Sequence, residues 1–66
     1  MKIDYERLVR VRQELKLRQV DVAKVLEINR NLFSRKERGI VGISLKEAYL
    51  ISKTYKMSIE ELFFAE

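Results

Sequence analysis

Gln19-Val-Asp-Val-Ala-Lys-Val-Leu-Glu-Ile-Asn-Arg-Asn-Leu-Phe-Ser-Arg-Lys-Glu-Arg38 decides the fold. From Gln19, the residues Val22, Ala23 and Leu26 mark the inward face of a helix of about two turns, with Asp21 near its positive end. That helix is expected to stop around Glu27. Asn29 is a good N-cap for a second one over Arg30 to about Arg38, with Phe33 and the stem of Lys36 or Glu37 turned inward, and Gly39 ends it as the glycine just past the cap. Ala23 has nothing beyond Cβ, so the second helix can cross closely over the first, while Leu26, Ile28 and Phe33 fill the angle between them. Two short helices joined by a tight turn make a helix-turn-helix, over about residues 19–38.

That packing exposes the other face of the second helix. Its outward positions are Arg30, Asn31, Ser34 and Arg35, all polar and none acidic. A reader of the DNA major groove needs such a face, because arginine matches the O6/N7 acceptors of guanine and asparagine the N6/N7 pair of adenine.

The flanking sequence is helical as well. Upstream, Tyr5, Leu8, Arg12 and Leu15 recur every three or four residues with Val11 beside them, and Asp4 is placed to cap a helix running to about Lys16. Downstream, Ser44-Leu45-Lys46-Glu47 is a capping box, in which the serine oxygen takes one backbone N–H and the glutamate reaches back to another; the helix it opens runs to about Tyr55. Ser58-Ile59-Glu60-Glu61 repeats the device and opens a short fifth helix carrying Leu62 and Phe63. No segment alternates apolar and polar residues for long. The expected architecture is an all-α, compact five-helix domain spanning 1–66, without repeats, linkers or low-complexity segments.

Composition narrows the function. Of 66 residues 47% are apolar and 36% charged, the balance of a globular chain. A single core of this size supplies only about 3–5 kcal/mol, so self-association would help. With no cysteine and no histidine, disulfides, thiolate nucleophiles and the commonest metal ligand and general base are missing. An enzyme is not expected, and neither is a metal, a cofactor or a small-molecule ligand. Glu60 and Glu61 are no catalytic pair, since adjacent helix positions do not face each other. Tyr5, Tyr49 and Tyr55 fall at inward or boundary positions and read as core. The opening MKIDYE carries acids where a secretory leader needs an apolar run, and no stretch is long and apolar enough for a membrane span; the cytoplasm is the expected compartment. Residues 7–38 hold ten basic and four acidic residues, a net of +6, and the other four basic and six acidic residues give −2. Such a basic half is either a footprint for phosphate or a solvated face that keeps the chain soluble.

Gln19, Ala23, Leu26, Ile28, Ser34, Arg35, Glu37, Arg38 and Gly39, with Ser44-Leu45 and the closing Ser58-x-x-Glu61-Leu62-Phe63, resemble the Cro/CI (XRE) family over residues 5 to 63. The resemblance implies a lambda-repressor-like fold that binds operator DNA as a dimer, usually as a repressor. It places Arg30, Asn31, Ser34 and Arg35 at bases or nearby phosphates and Gln19, Asn29 and Arg38 at the DNA backbone, and it pairs Arg12 with Glu37 as a structural ion pair. Departures from the family pattern have consequences of their own. Glu27 stands where glycine is usual, and a left-handed non-glycine residue costs about 1–2 kcal/mol. Arg18 replaces a serine or threonine cap and gains a possible phosphate contact. Lys36 replaces an apolar residue; its stem can be buried while its ammonium reaches solvent or DNA. The loop Gly39-Ile40-Val41-Gly42-Ile43 is apolar where basic or polar residues are common. Ile40, Val41 and Ile43, with Leu50 and Phe64, are assigned to self-association; the alternative is that Ile43 and one neighbour fold back into the core.

Two functions follow as expectations. The first is a sequence-specific regulator of double-stranded DNA, a homodimeric repressor on an inverted-repeat operator. The alternative is a protein-interaction module of the antitoxin or anti-repressor type, docking a partner on the 40–43 loop.

Overall fold

The computed structural model describes residues 2–64. Five helices follow in order, α1 (Tyr5–Glu14), α2 (Gln19–Leu26), α3 (Arg30–Glu37), α4 (Leu45–Tyr55) and α5 (Ile59–Phe63), and no strand occurs among the described residues. Their starts lie where the capping residues put them. The carboxylate of Asp4 accepts the Arg7 N–H at 3.1 Å and the side chain of Asn29 the Leu32 N–H at 2.7 Å. Ser44 and Ser58 both close capping boxes, each hydroxyl accepting the N–H three residues on, at 3.1 Å. α2 lacks a capping hydroxyl at Arg18; instead the Asp21 carboxylate reaches back to the Arg18 N–H at 2.8 Å. Two ends come earlier than the periodicity suggests, α1 at Glu14 and α3 at Glu37.

Helix ends explain the unusual backbone. Lys16, Glu27 and Lys56 all adopt left-handed conformations, at φ of 59°, 58° and 57°, each in the turn that follows a helix. Glu27 thus carries the strain expected from a side chain at the glycine position of the turn, and the turn keeps its shape regardless: the Glu27 and Ile28 N–H groups donate to the carbonyls of Lys24 and Ala23 at 3.1 and 3.0 Å. Gly39 ends α3 at φ 81°, and a Cβ there would stand 2.8 Å from the Tyr5 ring. Glycine is therefore required twice over at this position, by its backbone and by its neighbour.

The core is formed by Leu8, Val11, Val22, Ala23, Leu26, Phe33, Ile51, Tyr55, Leu62 and Phe63. α2 packs against both α3 and α4, α1 against α5 and α3, and α4 against α5. The start of α1 is joined to α5 where the Asp4 N–H donates to the Phe63 carbonyl at 3.0 Å and Arg7 Nε to the Glu61 carbonyl at 2.7 Å. Two apolar expectations are corrected. Leu15 falls beyond the last turn of α1 and is 43% exposed, and Tyr49 stands on the outer side of α4 at 52% exposed, with the Lys53 ammonium over its ring. Tyr55 is a core residue as expected; burial first, then the nearby Glu37 charge, push its hydroxyl well above the usual tyrosine range.

Candidate nucleic-acid interface

α2 and α3 present a polar surface backed by a buried polar layer. In that layer Arg12, on α1, donates from Nε to Glu37 at 2.6 Å and from a guanidinium nitrogen to the Leu17 carbonyl at 2.8 Å. Both side chains are nearly buried, 10% exposed for Arg12 and 3% for Glu37. The pair locks the end of α3 onto α1. The other carboxylate oxygen of Glu37 accepts from Gln19 Nε2 at 2.9 Å, and the Gln19 carbonyl in turn accepts from Arg30 at 3.1 Å. A chain of hydrogen bonds thus runs from the buried pair through the first residue of α2 to the first residue of α3. Arg30 reaches on toward the Asn31 side-chain oxygen, at 3.5 Å. Its guanidinium is held by the protein before any ligand arrives.

The outward face is simpler. Arg30, Asn31 and Arg35 are exposed and Ser34 is half-buried. α3 has no acid in its first turn, so nothing on this face opposes an anion. Among the described residues the Arg35 guanidinium has neither a hydrogen bond nor an ion pair. Arg38, at the cap of α3, rests its Nε on the Ser34 carbonyl at 3.3 Å and keeps the rest of its fork in solvent. Asn29 uses its side-chain oxygen as the cap of α3, and Gln19 is committed at both ends of its amide.

Arg18 and Lys36 differ from their sequence reading in different degrees. Arg18 is exposed but paired with Asp21 at 3.0 Å; the hydrogen bond raises the arginine's pKa and lowers that of the aspartate. Lys36 is a correction. It was expected to send its ammonium to solvent or DNA phosphate, yet the residue is buried, and Nζ donates inward to the Gly42 carbonyl at 2.8 Å and to Glu47 at 3.0 Å. A buried ammonium needs a counter-charge, and Glu47 supplies it. Burial alone would raise the Glu47 carboxyl, but the Ser44 N–H and the Lys36 ammonium outweigh it and hold the group below its ordinary value. Sequence reasoning saw Glu47 as a capping residue alone; an acid eleven residues beyond a lysine gives no local signal that the two meet. The basic half of the sequence shrinks accordingly. Arg12 and Lys36 are neutralised inside the molecule and Arg18 is paired with Asp21 at the surface, while Arg30, Arg35 and Arg38, on or beside α3, have no acidic partner among the described residues.

The residues assigned to self-association differ in exposure. Ile40 is 65% exposed, but Val41 is half-buried, and Ile43, Leu50 and Phe64 pack against the core. Ile43 and Phe64 line one shallow apolar cleft of about 280 Å³ with Ile3, Leu45, Ile59 and Phe63, among others. The five residues assigned to self-association therefore do not form one exposed patch.

Five helices with a helix-turn-helix at the second and third define the class: a small domain of the DNA-binding regulator type. The Helix-turn-helix family profile matches residues 8–62, and the chain belongs to that family, in its Cro/CI (XRE) branch. Family and fold are those of DNA-binding regulators rather than enzymes. Among solved structures, the crystal structure of the P22 c2 repressor in complex with a synthetic operator, determined in the presence of thallium ions, is similar over 100% of both chains, with a TM-score of 0.84 and 23% identity. At that identity the likeness establishes the lambda-repressor-like fold. No curated protein matches significantly in sequence. Among the described residues no helix is long and apolar enough to cross a membrane, and no three His, Cys, Asp or Glu side chains are grouped so as to hold a metal ion.

Proposed function

We propose that the protein is a sequence-specific regulator of double-stranded DNA that acts as a homodimeric repressor in the cytoplasm, with α3 inserted in the major groove. The observation that carries this reading is the outward face of α3, where Asn31 and Arg35 stand exposed with no acid beside them. Arg35 and Asn31 read base edges, with Ser34 and Arg30 beside them. Arg30 enters pre-aimed by Gln19, which spares the complex part of the ordering cost of a long side chain. Arg38, Arg18, Gln19 and Asn29 lie along the rims of that face and contact phosphates, which set register without reading sequence. Lys36 has no part in this set.

Two copies would place their α3 helices in successive major grooves about one helical turn, ~34 Å, apart, on an inverted repeat. Selection of bound duplexes from a random library at about 150 mM salt tests this, because non-specific attraction is weak at that ionic strength. Enrichment of a two-fold-related site with that spacing is the expected result. Retention without an enriched motif would leave only basic attraction.

The second reading, a module that docks a protein partner through the 40–43 loop, is favoured by one observation, the exposure of Ile40. Ultracentrifugation at tens of micromolar separates the two. A dimer supports the repressor; a monomer favours the partner.

A further inference from the structure

The Lys36–Glu47 pair occupies a particular place in the fold. α3 and α4 both lean on α2, and the loop between them carries Gly39, Ile40, Val41, Gly42 and Ile43. One ammonium on α3 gathers that loop: Lys36 Nζ donates to the Gly42 carbonyl at 2.8 Å and to Glu47 Oε1, on α4, at 3.0 Å. The same Glu47 oxygen accepts the Ser44 N–H at 2.9 Å. From the other side, the Ile40 and Val41 N–H groups both donate to the Arg35 carbonyl, at 2.9 and 3.4 Å. The loop is therefore pinned at its start by the backbone of Arg35 and at its end by the side chain of Lys36, two neighbouring residues of which the first faces outward from α3. Of its side chains Val41 is half-buried and Ile43 packs against the core, while Ile40 and Gly42 are exposed, so around Ile40 and Gly42 the loop is held by these hydrogen bonds rather than by packing.

We infer that Lys36 is a positioning residue for the DNA-binding surface: it orders the 39–44 loop against the end of α3 in the free protein, so that binding does not have to order it. This rests on the DNA-binding reading given above. The charge of Lys36 acts within the protein, on Glu47 and the Gly42 carbonyl, and contributes nothing to phosphate attraction. A buried ion pair contributes little net stability over a neutral pair of similar volume, so its use here is to choose one loop conformation rather than to strengthen the core.

The test compares the wild-type chain with Lys36→Met/Glu47→Gln, which leaves no stranded charge and keeps a side-chain oxygen to accept the Ser44 N–H. Two readouts are taken: amide hydrogen exchange, and affinity for a random-sequence 20-base-pair duplex pool as a function of salt. Exchange is expected to quicken at Ile40, Val41 and Ser44 and to stay unchanged at the core amides of Leu26 and Phe33. Duplex affinity should fall several-fold with the salt slope unchanged. A slope lower by about one would make Lys36 a phosphate contact and overturn the inference. So would unchanged affinity, which would make the pair scaffold alone, or unchanged loop exchange. A wild-type chain that fails to bind the pool would instead remove the DNA-binding reading, while the exchange data would still decide whether the pair orders the loop.

Discussion

Arg35 and Lys36 are adjacent basic residues on one helix, and the protein uses them in opposite ways. Arg35 stands in solvent with no intramolecular partner among the described residues, while Lys36 is turned under the loop and neutralised by Glu47. The same contrast separates the two faces of α3 as a whole. Inside, Glu37 and Lys36 are tied to α1, α2 and α4; outside, Arg30, Asn31, Arg35 and Arg38 keep hydrogen-bonding capacity free for a ligand. A charge on the inner face shapes the fold, and one on the outer face is available for recognition. Which of these a residue does depends on its angle around the helix and not on its type.

Substitutions on the two faces should therefore differ in kind. The largest effect is expected from Glu37→Ala, which strands the buried Arg12 guanidinium and should cost about 3–5 kcal/mol, comparable to the whole stability of so small a core. Chemical denaturation would show it largely unfolded. Replacing both partners, Arg12→Met with Glu37→Leu, should recover most of the loss, and a double variant as unstable as the single one would show that the pair does more than balance charge. Gly39→Ala comes next. Its backbone conformation alone costs about 1–2 kcal/mol, and the Tyr5 ring must also move; a melting temperature equal to wild type would contradict the geometry of this turn. Glu27→Gly works in the other direction, relieving a left-handed residue by about 1 kcal/mol and raising the melting temperature by roughly 4–8 °C.

The smallest expected effect is on pH dependence. The Glu47 carboxyl is held below its ordinary value of 4.5, so what it contributes is complete above that value and fades as pH falls through the lower value it has in the folded protein. Denaturation midpoints measured down the acid range should decline less steeply in Glu47→Gln than in wild type. Equal slopes would mean that the buried lysine does not depend on the charge of its partner.

Much of this arrangement was legible in the sequence, and the reasons are local. Asp4, Asn29, Ser44 and Ser58 announce helix starts because a cap acts within three residues, and Val22, Ala23, Leu26 and Phe33 mark inward faces because helical periodicity is local too. The outward face of α3 followed from the same periodicity. What could not be read was the destination of long side chains. Lys36 has the stem to lie buried or to reach out, and only the placement of α4 brings Glu47 to it. The burial of Ile43, Leu50 and Phe64 is illegible for a similar reason, since their packing against the core depends on residues distant in sequence.

On the proposed reading, the outer face of α3 reads bases while its rim holds phosphates. The decisive measurement is the binding of Asn31→Ala, Arg35→Ala and Arg38→Ala to a selected site and to each of its single-base variants over a range of salt. Asn31→Ala and Arg35→Ala should each lose about 1–3 kcal/mol and relax the preference at one position, whereas Arg38→Ala should weaken every duplex alike and lower the salt slope by about one. Equal losses on all sequences for all three variants would contradict that reading.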